Sequence, residues 1–276
     1  LLFIQGDTTS AFAAALAAFY EKIPIAHVEA GLRTNNIFDP YPEEANRRLI
    51  SQISTLNFAP TKKAVDNLKS SSITGEIFHT GNTVVDSLLF VKQNSKLNID
   101  SILKIGNKRI ILLTVHRREN WGNNLAEISK GIIKILKNNQ DVICLLPLHK
   151  NKLVRDPLQQ YLGSQERIIF KEPLNYEELV SVLSNSSIIL TDSGGIQEEA
   201  PSFGKPVLVL RNSTERIEAI DSGVAKLVGI DSEIIFEEAN NLLNDLNYYN
   251  SMSQKVNPFG DGKASERIFK ICMNFL

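Results

Sequence analysis

Short apolar runs rich in branched residues recur at 1–4, 23–28, 109–115, 142–146, 167–170, 187–190 and 206–210, mostly separated by segments with helical spacing. Runs this short read as strands buried on both faces. Their alternation with helices predicts an α/β fold of parallel sheets flanked by helices. Phe12, Leu16 and Phe19 fall at i, i+4 and i+7, and Leu125, Ile128, Ile132 and Ile135 repeat the stripe, so both sets are expected to face a core. The polar stretch 92–108 interrupts the alternation and is the candidate linker, which leads us to expect two sheets facing one another across a cleft.

The residues at the strand ends are more telling. Gly6-Asp7-Thr8-Thr9, Glu29-Ala30-Gly31-Leu32-Arg33, His116-Arg117-Arg118-Glu119, His149-Lys150, Ser193-Gly194-Gly195 and Arg211-Asn212-Ser213-Thr214-Glu215-Arg216 all lie just past an apolar run. Carboxyl ends of strands border the ligand crevice in open α/β sheets, so polar chemistry is gathered on one edge. Asp192-Ser193-Gly194-Gly195-Ile196-Gln197-Glu198-Glu199 joins a strand end, paired glycines and a helix start. Such glycines let backbone amides approach a phosphate, the first ligand to consider. The plain alternative is a tight turn with Asp192 as the helix N-cap.

Composition narrows the partners. The chain has 276 residues, 43% hydrophobic and 22% charged, with a formal net charge of −1. This balance gives no broad basic surface for nucleic acid, so any phosphate is held by local groups. No apolar run approaches the roughly 18 residues of a spanning helix and no signal-peptide pattern is present, so no membrane partner is expected. Cys144 and Cys272 form neither a zinc spacing nor a disulfide framework. A reducing cytoplasm and no bound metal are the corresponding expectations.

Glu199 follows the paired glycines closely enough for its carboxylate to accept hydrogen bonds from vicinal ribose hydroxyls, so a nucleoside diphosphate would satisfy both features. Arg216 and His116 would then face the phosphates, one as a fixed fork and the other as a titratable donor. The first half supplies acids. Asp7 either serves chemistry or caps the next helix. Glu29 closes a strand, a rim position at which a carboxylate's pKa is often raised toward the range useful for proton transfer. Glu43 and Glu44 follow Pro42 at a helix start, with Arg47 and Arg48 placed to pair with them at i+4.

Together, Gly6-Asp7-Thr8-Thr9, His27-Val28-Glu29-Ala30-Gly31-Leu32-Arg33, Pro42-Glu43-Glu44-Ala45-Asn46-Arg47, His116-Arg117-Arg118-Glu119-Asn120, Asp192 through Pro201, and Asn257-Pro258-Phe259-Gly260-Asp261-Gly262 resemble the non-hydrolysing UDP-N-acetylglucosamine 2-epimerases, in order and over essentially the whole chain. The resemblance implies two Rossmann-like domains in the GT-B arrangement: a partial first domain over 1–92, a UDP-binding domain over 93–256, and a helix in 257–276 returning to the first. It implies Asp7, Glu29 and Glu43 as catalytic acids and His116 as a catalytic or diphosphate-contacting histidine. Ser193, Gly194, Gly195 and Glu199 would contact UDP, with Arg216 beside the phosphates. Arg117 and His149, with Glu43, match positions that in some members contact a second, activating UDP-GlcNAc. A homodimer is implied as well. Family members open with a strand and a Gly-Thr-Arg-Pro-Glu-like loop; Leu1 is instead read as falling inside a first strand, so a truncated and inactive chain is one expectation. Leu174 and Leu179 stand where some relatives carry other side chains near the uracil.

Inverting C2 of an N-acetylhexosamine breaks a C–H bond with no neighbouring carbonyl, and no G-x-G-x-x-G fingerprint offers a nicotinamide to oxidise it. Elimination of UDP from C1 followed by re-addition requires no cofactor and two proton-transfer groups on opposite faces of the sugar. The alternatives are a GT-B glycosyltransferase, a hydrolysing epimerase and a UDP-binding fragment without catalysis.

Overall fold

A computed structural model describes residues 1–34, 36–38, 40–103 and 106–276, and of residues 101 and 102 the backbone alone. The chain forms two units, Leu1–Ser87 with Pro258–Leu276, and Leu88–Asn257. The first contains β1 (Leu2–Gln5), α1 (Thr9–Tyr20), β2 (Ile25–Val28), α2 (Glu43–Ile53), β3 (Leu56–Ala59), α3 (Lys62–Ser70) and β4 (Glu76–His79), and the chain passes into the second within α4 (Thr83–Asn94). The second continues with α5 (Ile99–Leu103), β5 (Arg109–Thr114), α6 (Asn123–Asn138), β6 (Val142–Pro147), α7 (Lys152–Leu162), β7 (Ile168–Lys171), α8 (Tyr176–Asn185), β8 (Ile188–Thr191), α9 (Gly194–Glu199), β9 (Val207–Val209), α10 (Ile217–Asp221), β10 (Ala225–Leu227), α11 (Ser232–Asn244) and α12 (Leu246–Ser253). The last helix, α13 (Ala264–Phe275), belongs to the first unit.

In the first unit β1, β2, β3 and β4 pair in sequence order, all parallel. Successive side chains on a strand point to opposite faces, and the two faces are covered differently. Ile4 and Ile25 pack with Ala15, Ala18 and Ile50 of α1 and α2, whereas Ala26, Leu56 and Phe58 pack with Ile268 and Cys272 of α13. The start of α13 has no cap of its own; Asp86 of α4 accepts from the amides of Ala264 (3.1 Å) and Ser265 (2.7 Å).

The predicted α1 stripe is displaced. Ala15 and Ala18 are buried while Phe19 is 50% exposed and Phe12 and Leu16 are half-buried, because α1 approaches the sheet through its small residues. Strands β3 and β4 carry no continuous apolar run, for a local reason. The fully buried Asn57 interrupts β3, and Glu76 and His79 end the edge strand β4.

The second sheet has the order β10-β9-β8-β5-β6-β7, all parallel. Starting from β5, the chain builds outward through β6 and β7, returns to the other side of β5 at β8, and builds outward again through β9 and β10. This is the doubly wound Rossmann order, with its switch point between β5 and β8. Its core joins Ile111, Leu113, Cys144, Leu146, Ile188, Leu190 and Leu208 to Leu125, Ile128, Ile132 and Ile135 of α6, all fully buried as the stripe predicted. Truncating any one of the larger of these to Ala is expected to cost about 2–5 kcal/mol. Edge strand β10, three residues with an exposed Lys226, carries too little apolar signal to be recognised beforehand.

Of the polar stretch 92–108, α4 takes up the first residues and α5 a later turn, residues 104 and 105 lie outside the described residues, and Lys92 and Ser95 hydrogen-bond Ser184 and Glu177 of α8. Among the described residues no helix is long and apolar enough to cross a membrane.

Candidate active site

The loops after β5 and β8 flank the switch point, and a fully buried carboxylate ties them together. Asp192 accepts from the backbone amides of His116 (3.0 Å) and Arg117 (2.9 Å) and from Asn120 Nδ2 (2.9 Å), and its Oδ1 lies 3.3 Å from His116 Nδ1. Asp192 is therefore not the N-cap of α9. Ser193 holds that position, and its hydroxyl makes no capping bond. Burial pulls the His116 pKa below its ordinary value; Asp192 opposes this, and Arg117, His149 and Arg211 add to it. The His149 ring stacks on His116 with centroids 5.9 Å apart and planes 23° from parallel.

A second cluster surrounds Gly194. A Cβ built there would lie 3.3 Å from Arg216 Cζ and Glu215 Oε1 and 3.5 Å from Arg117 Nη2, so only a glycine leaves this space open. Glu215 accepts from Arg117 (3.2 Å), Arg216 (3.1 Å) and Arg211 (2.8 Å). Burial alone would raise its pKa, but the Arg216 and Arg211 guanidiniums hold it down to about 2. Arg216 also donates to Glu198 at 2.7 Å, and its backbone amide is held by Thr214, which in turn donates to the buried Gln197. Arg117 and Arg216 are thus gathered beside a backbone without a side chain, with the buried Arg211 behind Glu215, an arrangement that suits a diphosphate.

One turn beyond, Glu199 is 6% exposed, and burial raises its pKa from 4.5 to about 7, with Tyr176 pulling the other way through a hydroxyl hydrogen bond of 3.2 Å. Tyr176 opens α8, whose start is fixed by a capping box between Asn175 and Glu178.

In the first unit Asp7 and Glu29 follow adjacent strands, β1 and β2. The cap of α1 is Thr8, whose hydroxyl accepts from Ala11 at 3.2 Å, which leaves the Asp7 carboxylate to accept from Arg47 Nε at 2.7 Å. Glu29 sits at φ 65°, a left-handed conformation costing a residue with a side chain about 1 kcal/mol or more, which turns the chain sharply as it leaves β2. Its Oε2 lies 3.8 Å from where a Cβ on Gly6 would stand. Gly31, two residues on at φ 93°, is obligatory because a Cβ would stand 2.4 Å from the Ala64 carbonyl oxygen. Beneath both loops His27 donates from Nε2 to the Gly6 carbonyl at 2.9 Å, and burial lowers its pKa to about 4.

Of the two i+4 pairs anticipated for α2, Glu44–Arg48 forms, whereas Arg47 turns to Glu44 at i+3 rather than to Glu43. Glu44 is fully buried and takes Arg47 (3.2 Å), Arg48 (2.8 Å) and the Thr34 amide (3.0 Å). The side chain of Glu43, half-buried in the first turn of α2, makes no hydrogen bond or ion pair among the described residues.

Within single units, then, Asp7 and Glu29 come together, and His116, Arg117, His149, Gly194 and Arg216 form a second group with Glu199 one turn away. Asp192, Glu215, Glu198 and Tyr176 were not singled out as site residues in the sequence. Asp192 and Glu198 lie inside the paired-glycine motif and Glu215 inside the Arg211–Arg216 string, whereas Tyr176 belongs to none of these motifs.

The UDP-N-acetylglucosamine 2-epimerase family model matches residues 1–273. A UDP-N-acetylglucosamine 2-epimerase of Campylobacter jejuni is 46% identical over 98% of this chain and 74% of its own length. Among solved structures, the Neisseria meningitidis UDP-GlcNAc 2-epimerase bound to UDP-GlcNAc superposes with a TM-score of 0.91 at 45% identity, covering 99% of this chain and 76% of that one. The Methanocaldococcus jannaschii UDP-GlcNAc 2-epimerase in complex with UDP-GlcNAc and UDP gives 0.82 at 36%, covering 99% and 75%.

Proposed function

The chain belongs to the UDP-N-acetylglucosamine 2-epimerase family, a family of isomerases, and from that premise we propose that it interconverts UDP-N-acetylglucosamine and UDP-N-acetylmannosamine by eliminating UDP and adding it back. The observation that carries this reading is the grouping of Arg117, Arg216 and the bare Gly194 backbone one turn from the buried Glu199 carboxyl.

In the forward step the C1–O bond breaks with its electron pair leaving on UDP. The C2 proton passes to a carboxylate, and the C1=C2 bond of 2-acetamidoglucal forms. UDP then attacks C1 while a second acid delivers a proton to the other face of C2. Asp7, Glu29 and Glu43 are assigned to these proton transfers. Arg47 Nε, 2.7 Å from the Asp7 carboxylate, fixes the direction in which that group faces. His116, Arg216 and the amides of Ser193, Gly194 and Gly195 take the charge developing on the departing diphosphate. Glu199 accepts from the ribose hydroxyls. Arg117 and His149 are assigned, with Glu43, to a second activating UDP-GlcNAc, whose occupancy would reach His116 through the ring stack. We place the enzyme in the cytoplasm, in keeping with two free buried cysteines, and as a homodimer, which sedimentation at micromolar concentration tests.

Proton NMR of UDP-GlcNAc in deuterated buffer tests the reaction. UDP-ManNAc with deuterium at C2 is expected. Free N-acetylmannosamine would instead indicate hydrolysis, and turnover only with an added acceptor would indicate glycosyl transfer. Glu29→Gln should bind UDP normally but turn over roughly 10²–10⁴-fold more slowly. Near-normal turnover in that variant removes Glu29 from the mechanism.

A further inference from the structure

Resting on the assignment of His116 to the departing diphosphate, we propose that Asp192 is a positioning residue that orients the His116 imidazole, keeps its proton on Nδ1 and so reserves Nε2 for the substrate. Asp192 is fully buried at the switch point between β5 and β8, where the two loops of the diphosphate site begin. Both of its oxygens reach His116. Oδ1 and Oδ2 lie 3.1 and 3.0 Å from the His116 amide, Oδ2 also takes the Arg117 amide and Asn120 Nδ2, and Oδ1 is the atom 3.3 Å from His116 Nδ1. Asn120 is itself anchored to the Leu210 carbonyl at 3.1 Å, so the carboxylate cannot swing away without leaving buried donors unpaired.

A carboxylate fixed in this way offers Nδ1 lone pairs only, which favours the tautomer carrying hydrogen on that nitrogen. His149 cannot take over the role. Its ring meets His116 face to face, and its own Nδ1 accepts from the Asn151 amide at 3.1 Å, which puts its proton on Nε2. The charged and titratable groups facing His116 are Asp192, Arg117, Arg211 and His149, and Asp192 alone among them favours the imidazolium. Nε2 of His116 therefore enters the reaction as an acceptor, takes up a proton when a diphosphate arrives, and donates it as a hydrogen bond to the leaving oxygen. Asp192 balances the charge behind it.

The test is nitrogen-15 NMR of ring-labelled full-length protein, whose four histidines are assigned with the help of His116→Gln. In the wild type the Nδ1–H tautomer is expected at His116. In Asp192→Asn its titration should move to lower pH by about one unit or more as the neighbouring charge is lost. The pH limb of kcat should move with it, and kcat should fall about 10-fold or more while uridine affinity stays within about twofold, because catalysis and not ribose binding depends on the oriented imidazole. An Nε2–H tautomer in the wild type, or superimposable titrations of the two proteins, overturns the proposal. The wild-type tautomer alone decides if the variant does not fold. Full turnover by His116→Gln would remove the catalytic assignment instead, whatever the tautomer.

Discussion

A carboxyl that folding forces toward neutrality should destabilise the protein once the pH rises enough to ionise it, and Glu199 is such a group. Its pKa is raised by burial from 4.5 to about 7 in the folded chain. The folded value exceeds the unfolded one, so the protonated group's contribution is fully present below 4.5 and is lost as pH rises through about 7. At 1.36 kcal/mol per pH unit, the two values imply a penalty of about 3 kcal/mol above pH 8. Glu199→Gln keeps the shape and an oxygen for Tyr176 but cannot ionise. We therefore predict that this variant is more stable than the wild type by about 3 kcal/mol at pH 8.5 and by less than about 1 kcal/mol at pH 5. Trp121, the only tryptophan, lies in the same unit and packs against its core, so urea unfolding followed by its fluorescence reads the right transition. The same variant should lose affinity for uridine, since a neutral amide is a weaker acceptor for two hydroxyls. Equal stability differences at the two pH values, or a wild type that is the more stable at pH 8.5, would refute the reasoning.

Three further outcomes are expected. Gly194→Ala should leave the fold intact yet weaken UDP binding by calorimetry about 10-fold or more, because its methyl intrudes within 3.5 Å of Arg117 and Arg216; unchanged affinity would show that no phosphate approaches this backbone. Gly31→Ala should destabilise the first unit by more than about 2 kcal/mol, combining the left-handed backbone with a clash against Ala64, and a thermal melt within a degree of the wild type would contradict it. Tyr176→Phe removes the hydrogen bond that lowers the Glu199 pKa, so the midpoint of uridine binding against pH should move to more alkaline values; a midpoint unmoved or shifted to acid would break that link.

The parts of this molecule legible in its sequence are those in which one residue's chemistry sufficed. β5, β6 and β8 are buried on both faces and so are apolar almost throughout, and α6 carries a stripe that only a core explains. Where burial is shared with polar groups the residue pattern is ambiguous. Asn57 sits fully buried inside β3, and the helix α1 approaches its sheet through alanines that carry little apolar signal. The site divides similarly. Paired glycines and strand-end cations announce themselves, but whether Glu43 or Glu44 meets Arg47 depends on which side of α2 faces inward. The roles of Asp192 and Glu215 depend on loops brought together by a strand order that the sequence does not state.

The division of the chain has an implication for its synthesis. The second unit is one continuous stretch and can complete its sheet on emerging from the ribosome. The first is made earlier and has all four strands by His79, but it cannot finish packing: Phe58 stays uncovered and Asp86 has no amides to receive until α13 is translated. Translation order and folding order are therefore inverted for this half of the molecule, and the nascent β1–β4 sheet waits with one apolar face bare. A stop codon just after Asn257 should yield a product with an intact second unit and a first unit prone to aggregate.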